Sequence, residues 1–304
     1  MTERLLTVAL CTHNHANRLK RTLHDLQSVI PPRKPWELLI VDNGCTDETP
    51  ELLRATQWPS DWPEVRIVRE DRLGLSHARN RAVAEARGEY VLFFDDDETP
   101  DPQWLAAHEA AMETYAPDAA GGRLEVLFEG ERPAWLADEL LGFLGKLDHG
   151  PAAWLTLPST PFYGGNFAIR RGLIEDVGGF DTQLGRKGRT NNGGEDTEFY
   201  RRLLAAGRKI RWVPDAAIYH RVEVEKLRRS YFLDLHFRQG RAEGARSRGD
   251  QPRLPPKYLL PQIARAYCRA MQKRLRDGAD HSLRLEMNAA YFTGYMLGWM
   301  KDAA

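Results

Sequence analysis

The chain has 304 residues, of which 42% are hydrophobic and 28% charged, with 43 basic and 43 acidic side chains. This length can bury a real core as one large domain or two smaller ones, and the composition excludes a disordered chain. The balanced charge excludes a global field that recruits nucleic acid or an anionic membrane, so either contact would need a local patch.

Cys11, Cys45 and Cys268 are too few and too scattered for a disulfide framework or a zinc site, which fits a reducing compartment. "MTERLLTVALCTHN" lacks the basic-then-apolar pattern of a signal peptide. No stretch approaches the roughly 20 apolar residues that span a bilayer. In chain order, "LLTVAL" (5–10) reads as a buried strand, and 16–29 as a helix with Leu19, Leu23, Leu26 and Ile30 at helical spacing. "WELLIV" (36–41) predicts a second strand, 47–57 a short helix, "VRIV" (65–68) a third strand, and 74–87 a helix stopped by Gly88. "YVLFF" (90–94) is a fourth strand, followed by a helix from Pro102 to Tyr115. This alternation implies a mostly parallel α/β sheet with helices on both faces, whose ligands bind at the carboxyl ends of the strands.

The second half is less regular. Residues 121–128 predict a strand, 130–160 a Trp-, Pro- and Gly-rich insertion, and 162–171 a strand with a glycine pair. Residues 185–194 form a basic glycine-rich loop, 195–206 a helix, 210–213 a strand and 223–249 an Arg-rich helix; one or two helices close the chain.

Three strand ends converge on one polar rim: "CTHN" (11–14), Asp42, and the acidic run Asp95, Asp96, Asp97 and Glu98. In an extended chain Asp95 and Asp97 project to one side and Asp96 to the other. Two carboxylates that close repel unless a cation lies between them or one takes a proton, and oxygen ligands suit Mg²⁺ or Mn²⁺. The plainer alternative, a solvated loop capping the next helix, accounts for Asp101 but not for three acids ending an apolar strand. Asp42 leaves a buried strand at an Asn-Gly turn, and base recognition and a plain turn explain it equally well. Arg79 and Asn80 sit in the first turns of a helix, where a phosphate site competes with an exposed face. Glu195 and Asp196 start a helix; they cap it or act as a general base. His220 follows a strand and joins the suspected metal acids.

In this order the segments resemble glycosyltransferase family 2. "IVDNGCTDET", "LGLSHARNRAVAEARGEYVLFFDDDE", "GGNFAIRR" and "GGEDTEFYRRL" match its motifs, and "CTHN" stands where the family has a Pro-Thr-Tyr-Asn-like stretch. The resemblance covers about residues 5–221. It implies a GT-A (Rossmann-like) domain over 1–221, with a nucleotide-binding half (1–120) and an acceptor half (121–221), then a helical extension over 222–304. It implies inversion at the sugar and a nucleoside diphosphate sugar donor. It places Thr12, Asn14, Asp42, Arg79, Asp95, Asp96, Gly165 and Asn166 at the nucleotide sugar, with Asp42 at the base and Arg79 at the diphosphate. It gives Asp95, Asp97 and His220 to a divalent cation, Mn²⁺ or Mg²⁺, and makes Asp196 the base with Glu195 beside it. Cys11 and His13 depart from the family pattern and leave the nucleotide unspecified.

Two rivals stand beside this expectation. A sugar nucleotidylyltransferase shares the architecture but usually opens with a glycine-rich loop, which "CTHNHANRL" lacks; a non-catalytic sugar-nucleotide binder would lack a base. Arg186, Lys187 and Arg189 suit a loop that closes over the donor. Trp135, Trp154, Phe162 and Tyr163 are candidates for stacking on an acceptor sugar. No nucleic-acid partner and no transmembrane segment are expected. The expected location is cytoplasmic, with peripheral contact at the cytoplasmic membrane face left open. The C-terminal aromatics (Tyr291, Phe292, Tyr295, Trp299) are expected to pack on the domain, ahead of forming a homodimer or lying on a membrane.

Overall fold

The computed structural model describes residues 4–186, 193–249 and 254–300. They form two compact units, one of 1–126 with 145–221 and one of 127–144 with 222–304.

The first unit is built on a nine-stranded sheet. Its strands are β1 (Arg4–Thr12), β2 (Trp36–Asp42), β3 (Val65–Arg69), β4 (Gly88–Asp95), β5 (Glu98–Pro100), β6 (Ala119–Phe128), β7 (Trp154–Leu155), β8 (Phe167–Arg170) and β9 (Ile210–Val222). The order is β3-β2-β1-β4-β8-β6-β9-β5, with β7 on β9. The pairs among β1 to β4 are parallel, as the alternation implies. Beyond β4 the described pairings are antiparallel: β8 runs against β4 and β6, and β9 against β5 and β7. The sheet is therefore mixed, parallel in its first half and antiparallel in the described pairings of its second.

The helices of this unit are α1 (Ala16–Leu26), α2 (Thr49–Ala55), α3 (Leu75–Glu85), α4 (Trp104–Tyr115), α5 (Leu173–Val177) and α6 (Glu195–Ala205). Successive residues of β1 and β4 serve opposite faces. Val8, Leu10, Leu92 and Phe94 pack with Leu19 and Leu23 of α1 and Trp104 of α4. Ala9, Cys11, Val91 and Phe93 pack with Ala78 and Ala82 of α3 and Phe199 and Leu203 of α6. Burial on both faces is why these strands read as unbroken apolar runs.

The second unit holds α7 (Arg229–Arg248), α8 (Leu259–Asp277) and α9 (Leu283–Met300). A side chain at Gly240 or Gly244 of α7 would overlap the carbonyls of Tyr291 and Tyr295, and one at Gly294 or Gly298 those of Phe237 and Arg241. The two helices thus touch backbone to backbone through paired Gly-x-x-x-Gly spacings, and Trp299 is buried. Among the described residues no helix is long and apolar enough to cross a membrane.

Candidate active site

The carboxyl ends of β1, β2 and β4 meet at one edge of the sheet, since register pairs Thr12 with Asp42 and Cys11 with Asp95. At the tip of β4 the chain turns and adds a strand absent from the sequence reading. β5 pairs with β9 so that Glu98 lies opposite His220. This pairing brings His220 Nε2 to 3.4 Å from Asp97 Oδ2. Arg18 Nη1 stands 3.9 Å from the same carboxylate oxygen.

Asp95 faces elsewhere. Its carboxylate accepts from Arg79 Nη2 at 3.4 Å, and its backbone N–H donates to Glu98 Oε2 at 3.1 Å. Burial raises the pKa of Asp95, with Arg79 opposing. Burial also pushes Glu98 well above the usual glutamate range, and Asp95 and Asp97 add to the rise. Among the described residues, no three His, Cys, Asp or Glu side chains converge on one point as a metal site requires. Asp97 and His220 are adjacent, and Asp95 is turned toward the arginine.

Asp96 points away from Asp95 and Asp97, in the turn that follows β4. It accepts from the Thr12 hydroxyl at 2.6 Å and lies 3.1 Å from His15 Nδ1. That hydrogen bond is the main reason the His15 pKa rises. Thr12 and Asp96, both expected at the nucleotide sugar, are buried and bind each other. His15, which no sequence motif marked, completes this lock.

Other residues expected at the ligand also carry internal hydrogen bonds. Asn14 has φ 53°. Its side-chain oxygen accepts from the backbone N–H groups of Thr46 (2.7 Å) and Asp47 (3.2 Å), clamping the turn after β2. Asp42 accepts from Cys45 N–H at 2.7 Å and Arg69 Nη1 at 3.0 Å. Asn166 is fully buried. Its oxygen accepts from Trp104 Nε1 (2.9 Å) and His108 Nε2 (3.0 Å), and its amide donates to the carbonyls of Arg123 (2.9 Å) and Ala216 (2.8 Å). Two donors and two acceptor positions are all that an asparagine has, so none remains for a ligand.

Arg79 departs furthest from expectation. It is 1% exposed, not at an open helix end. Its guanidinium donates to Glu195 Oε1 at 2.8 Å and the Gly164 carbonyl at 2.9 Å, and lies within 6 Å of the Phe93, Phe167 and Phe180 rings. Burial disfavours its charge, but Asp95, Glu195 and Asp196 outweigh that and raise its pKa. Its helical neighbours are also spent on structure. Ser76 donates to the Leu184 carbonyl at 2.9 Å, and Asn80 holds both backbone groups of Phe180.

The glycine pair explains how these groups fit. A methyl on Gly164 would overlap the Arg79 guanidinium, and one on Gly165 the Glu98 carboxyl. Gly165 therefore admits Glu98. Gly164 also holds Asp196: its N–H donates to Asp196 Oδ2 at 2.8 Å, while Asp196 Oδ1 accepts from Thr197 N–H at 2.7 Å. Glu195 is buried; one oxygen is on Arg79 and the other has no hydrogen-bond partner among the described residues. Asp196 is the more open acid of the two.

Of the aromatics expected to stack on a sugar, Phe162 is buried against Phe167 at 4.5 Å. Tyr163 is half-buried, and burial, then Asp196, raises its pKa. Lys187 and Arg189 lie outside the described residues; of that loop, Arg186 is described, and its carbonyl accepts from Leu75 N–H at 3.0 Å.

Comparison with known proteins accords with this architecture. The Glycosyl transferase family 2 model matches residues 7–178, and a second model, described as the N-terminal domain of galactosyltransferase, matches 151–226. Glycosyltransferase AglE of Haloferax volcanii is 25% identical over 215 residues, covering 71% of this chain and 66% of AglE. The chain therefore spans just under two thirds of that relative's length. Among solved structures, the mannosyltransferase PcManGT from Pyrobaculum calidifontis, in complex with GDP-Man and Mn²⁺, superposes with a TM-score of 0.55 at 23% identity. It covers 93% of this chain and 73% of PcManGT. S. aureus TarS, in complex with UDP-GlcNAc, gives a TM-score of 0.54 at 19% identity over 72% of this chain and 58% of its own. With the family model matched over more than half of its length, and with a sheet shared with solved glycosyltransferases, the chain belongs to glycosyltransferase family 2 and has the GT-A fold.

Proposed function

We propose that the chain transfers a sugar from a nucleoside diphosphate sugar to an acceptor hydroxyl by a single inverting displacement, with Asp196 as the base. One observation carries this reading: a single buried guanidinium, that of Arg79, touches Asp95 at the tip of β4 and Glu195, the neighbour of Asp196. The acid proposed for the donor side and the neighbour of the proposed base are thereby held by one side chain. The GDP-Man held by PcManGT and the UDP-GlcNAc held by TarS support the donor class.

Asp97 and His220, 3.4 Å apart, would hold a divalent cation together with oxygens of the donor's diphosphate. Mixed carboxylate and imidazole donors suit Mn²⁺ better than Mg²⁺, which prefers an all-oxygen shell. When bound there, the cation neutralises charge that develops on the departing diphosphate.

The chain's own residues do the rest. Asp196, held by Gly164 N–H and Thr197 N–H, presents a carboxylate of fixed orientation. The acceptor O–H loses its proton to Asp196 as its oxygen bonds to the anomeric carbon. The bond from that carbon to the diphosphate oxygen breaks, and its electron pair leaves with the nucleoside diphosphate. Attack from the face opposite the leaving group inverts the centre. The cytoplasmic location and the separate role of 222–304 as an extension belong to this proposal as well.

Asp196→Asn tests it. Asparagine keeps the size and one of the two acceptor oxygens, but cannot take the proton. Nucleoside diphosphate release from sugar nucleotide with Mn²⁺ should fall about 10²–10⁴-fold, while donor affinity by calorimetry stays near wild type. Equal activity in the two proteins would remove Asp196 from the chemistry.

A further inference from the structure

The outer face of α8 is divided by chemistry. Leu259 and Ala270 turn inward and are buried. On the opposite side, Leu260, Ala264, Tyr267, Cys268, Met271 and Leu275 recur at three- and four-residue intervals and form one continuous apolar stripe. These residues are exposed: Leu260 60%, Met271 63% and Leu275 81%. Leu254 and Tyr258, just before the helix, are also exposed. Isolated apolar side chains on a surface mean nothing, but an aligned row does.

Basic residues flank the row. On the helical wheel Arg265, Arg269 and Arg276 occupy the sector beside it, and Arg274 stands on its other border. Over its length α8 carries five basic residues and one acid, Asp277. Lys273, Arg274 and Arg276 have acidic partners; among the described residues Arg265 and Arg269 have none. Both of these arginines line a recess of about 310 Å³ between α8 and α9, together with Gln262, Asn288 and Phe292. The net-neutral chain thus carries a local basic patch beside an apolar one.

We infer that α8 lies in the surface of an anionic lipid bilayer, with its apolar stripe among the acyl chains and Arg265 and Arg269 on lipid phosphates. Charge complementarity selects this occupant. A helix with an apolar stripe bordered by arginine matches the apolar interior and anionic rim of such a membrane. A second copy packed on this face would bring together two helices that each carry five basic residues and one acid.

Vesicle co-sedimentation of the full chain tests the inference. Binding should be at least about tenfold stronger to vesicles containing roughly a third phosphatidylglycerol than to pure phosphatidylcholine, and should weaken at about 1 M salt. The double substitution Met271→Glu with Leu275→Glu should abolish it. Both residues are exposed, so the circular dichroism spectrum and melting temperature should be unchanged. Arg265→Gln with Arg269→Gln should remove the preference for anionic lipid. The inference is overturned if anionic and neutral vesicles bind alike, or if the glutamate pair leaves binding intact. It is also overturned if ultracentrifugation shows a dimer that the glutamate pair dissolves while wild type ignores vesicles.

Discussion

Arg79 shows how a side chain's neighbours decide its role. A helical arginine near an acidic motif suggests phosphate, yet this guanidinium is buried among three aromatic rings and donates to Glu195, Asp95 and the Gly164 carbonyl. Removing one member of a buried ion pair strands the other, at a cost of about 3–5 kcal/mol. Arg79→Met should therefore lower the urea-unfolding free energy by that amount. It should also weaken nucleoside and nucleoside diphosphate binding alike, because it disturbs the whole rim. A variant of normal stability that had lost only the diphosphate would return the guanidinium to the phosphates.

His108 makes a related point. Burial drives its pKa down to about 4, and its Nε2 donates to Asn166, whose other capacity is spent on Trp104 and two carbonyls. The unfolded chain binds a proton near pH 6.5 that the folded chain refuses until about pH 4. Between these values the unfolded state holds more protons, so stability must fall as pH falls. The contribution reaches about 3 kcal/mol at most. His108→Gln keeps a donor toward Asn166 without a titrating group. Denaturation curves from pH 7 to 4 should be flatter for this variant than for wild type; parallel curves would mean that His108 titrates normally.

At the scale of elements, the short strand β5 decides how the site is assembled. Without its pairing to β9, His220 would be a strand residue with no route to Asp97. The Gly164-Gly165 turn works with it by admitting Arg79 on one side and Glu98 on the other. Gly165→Ala inserts a methyl where the Glu98 carboxyl sits, and overpacking of this kind costs about 1–3 kcal/mol. The variant should melt lower and turn over more slowly, since Glu98 also receives the Asp95 N–H. An unchanged melting temperature would show that Glu98 can move aside freely.

At the scale of the molecule, the two compact units are held together internally by different means. The first rests on a sheet buried on both faces. The second rests on α7 and α9, whose backbones approach through four glycines. Close backbone contact tolerates no added carbon, so Gly244→Ala should loosen that pair selectively. Hydrogen exchange should speed up by about tenfold or more at the amides of α7 and α9, with β1 to β4 unaffected. Uniform acceleration across both units would mean that they unfold as one.

The sequence alone determined the alternating first half, the location of the rim, and the family to which the chain belongs. Unbroken apolar strands, helical periodicity and acids at strand ends are local patterns, and local patterns survive in one dimension. What only the tertiary structure decided was which polar groups remain available at that rim. Thr12, Asn14, Asp96, Arg79 and Asn166 carry residue types suited to ligands, but each binds a group 16 to 116 positions away in the chain. Residue type and spacing show what a side chain can bind; whether its hydrogen bonds are already spent depends on long-range partners that only folding brings together.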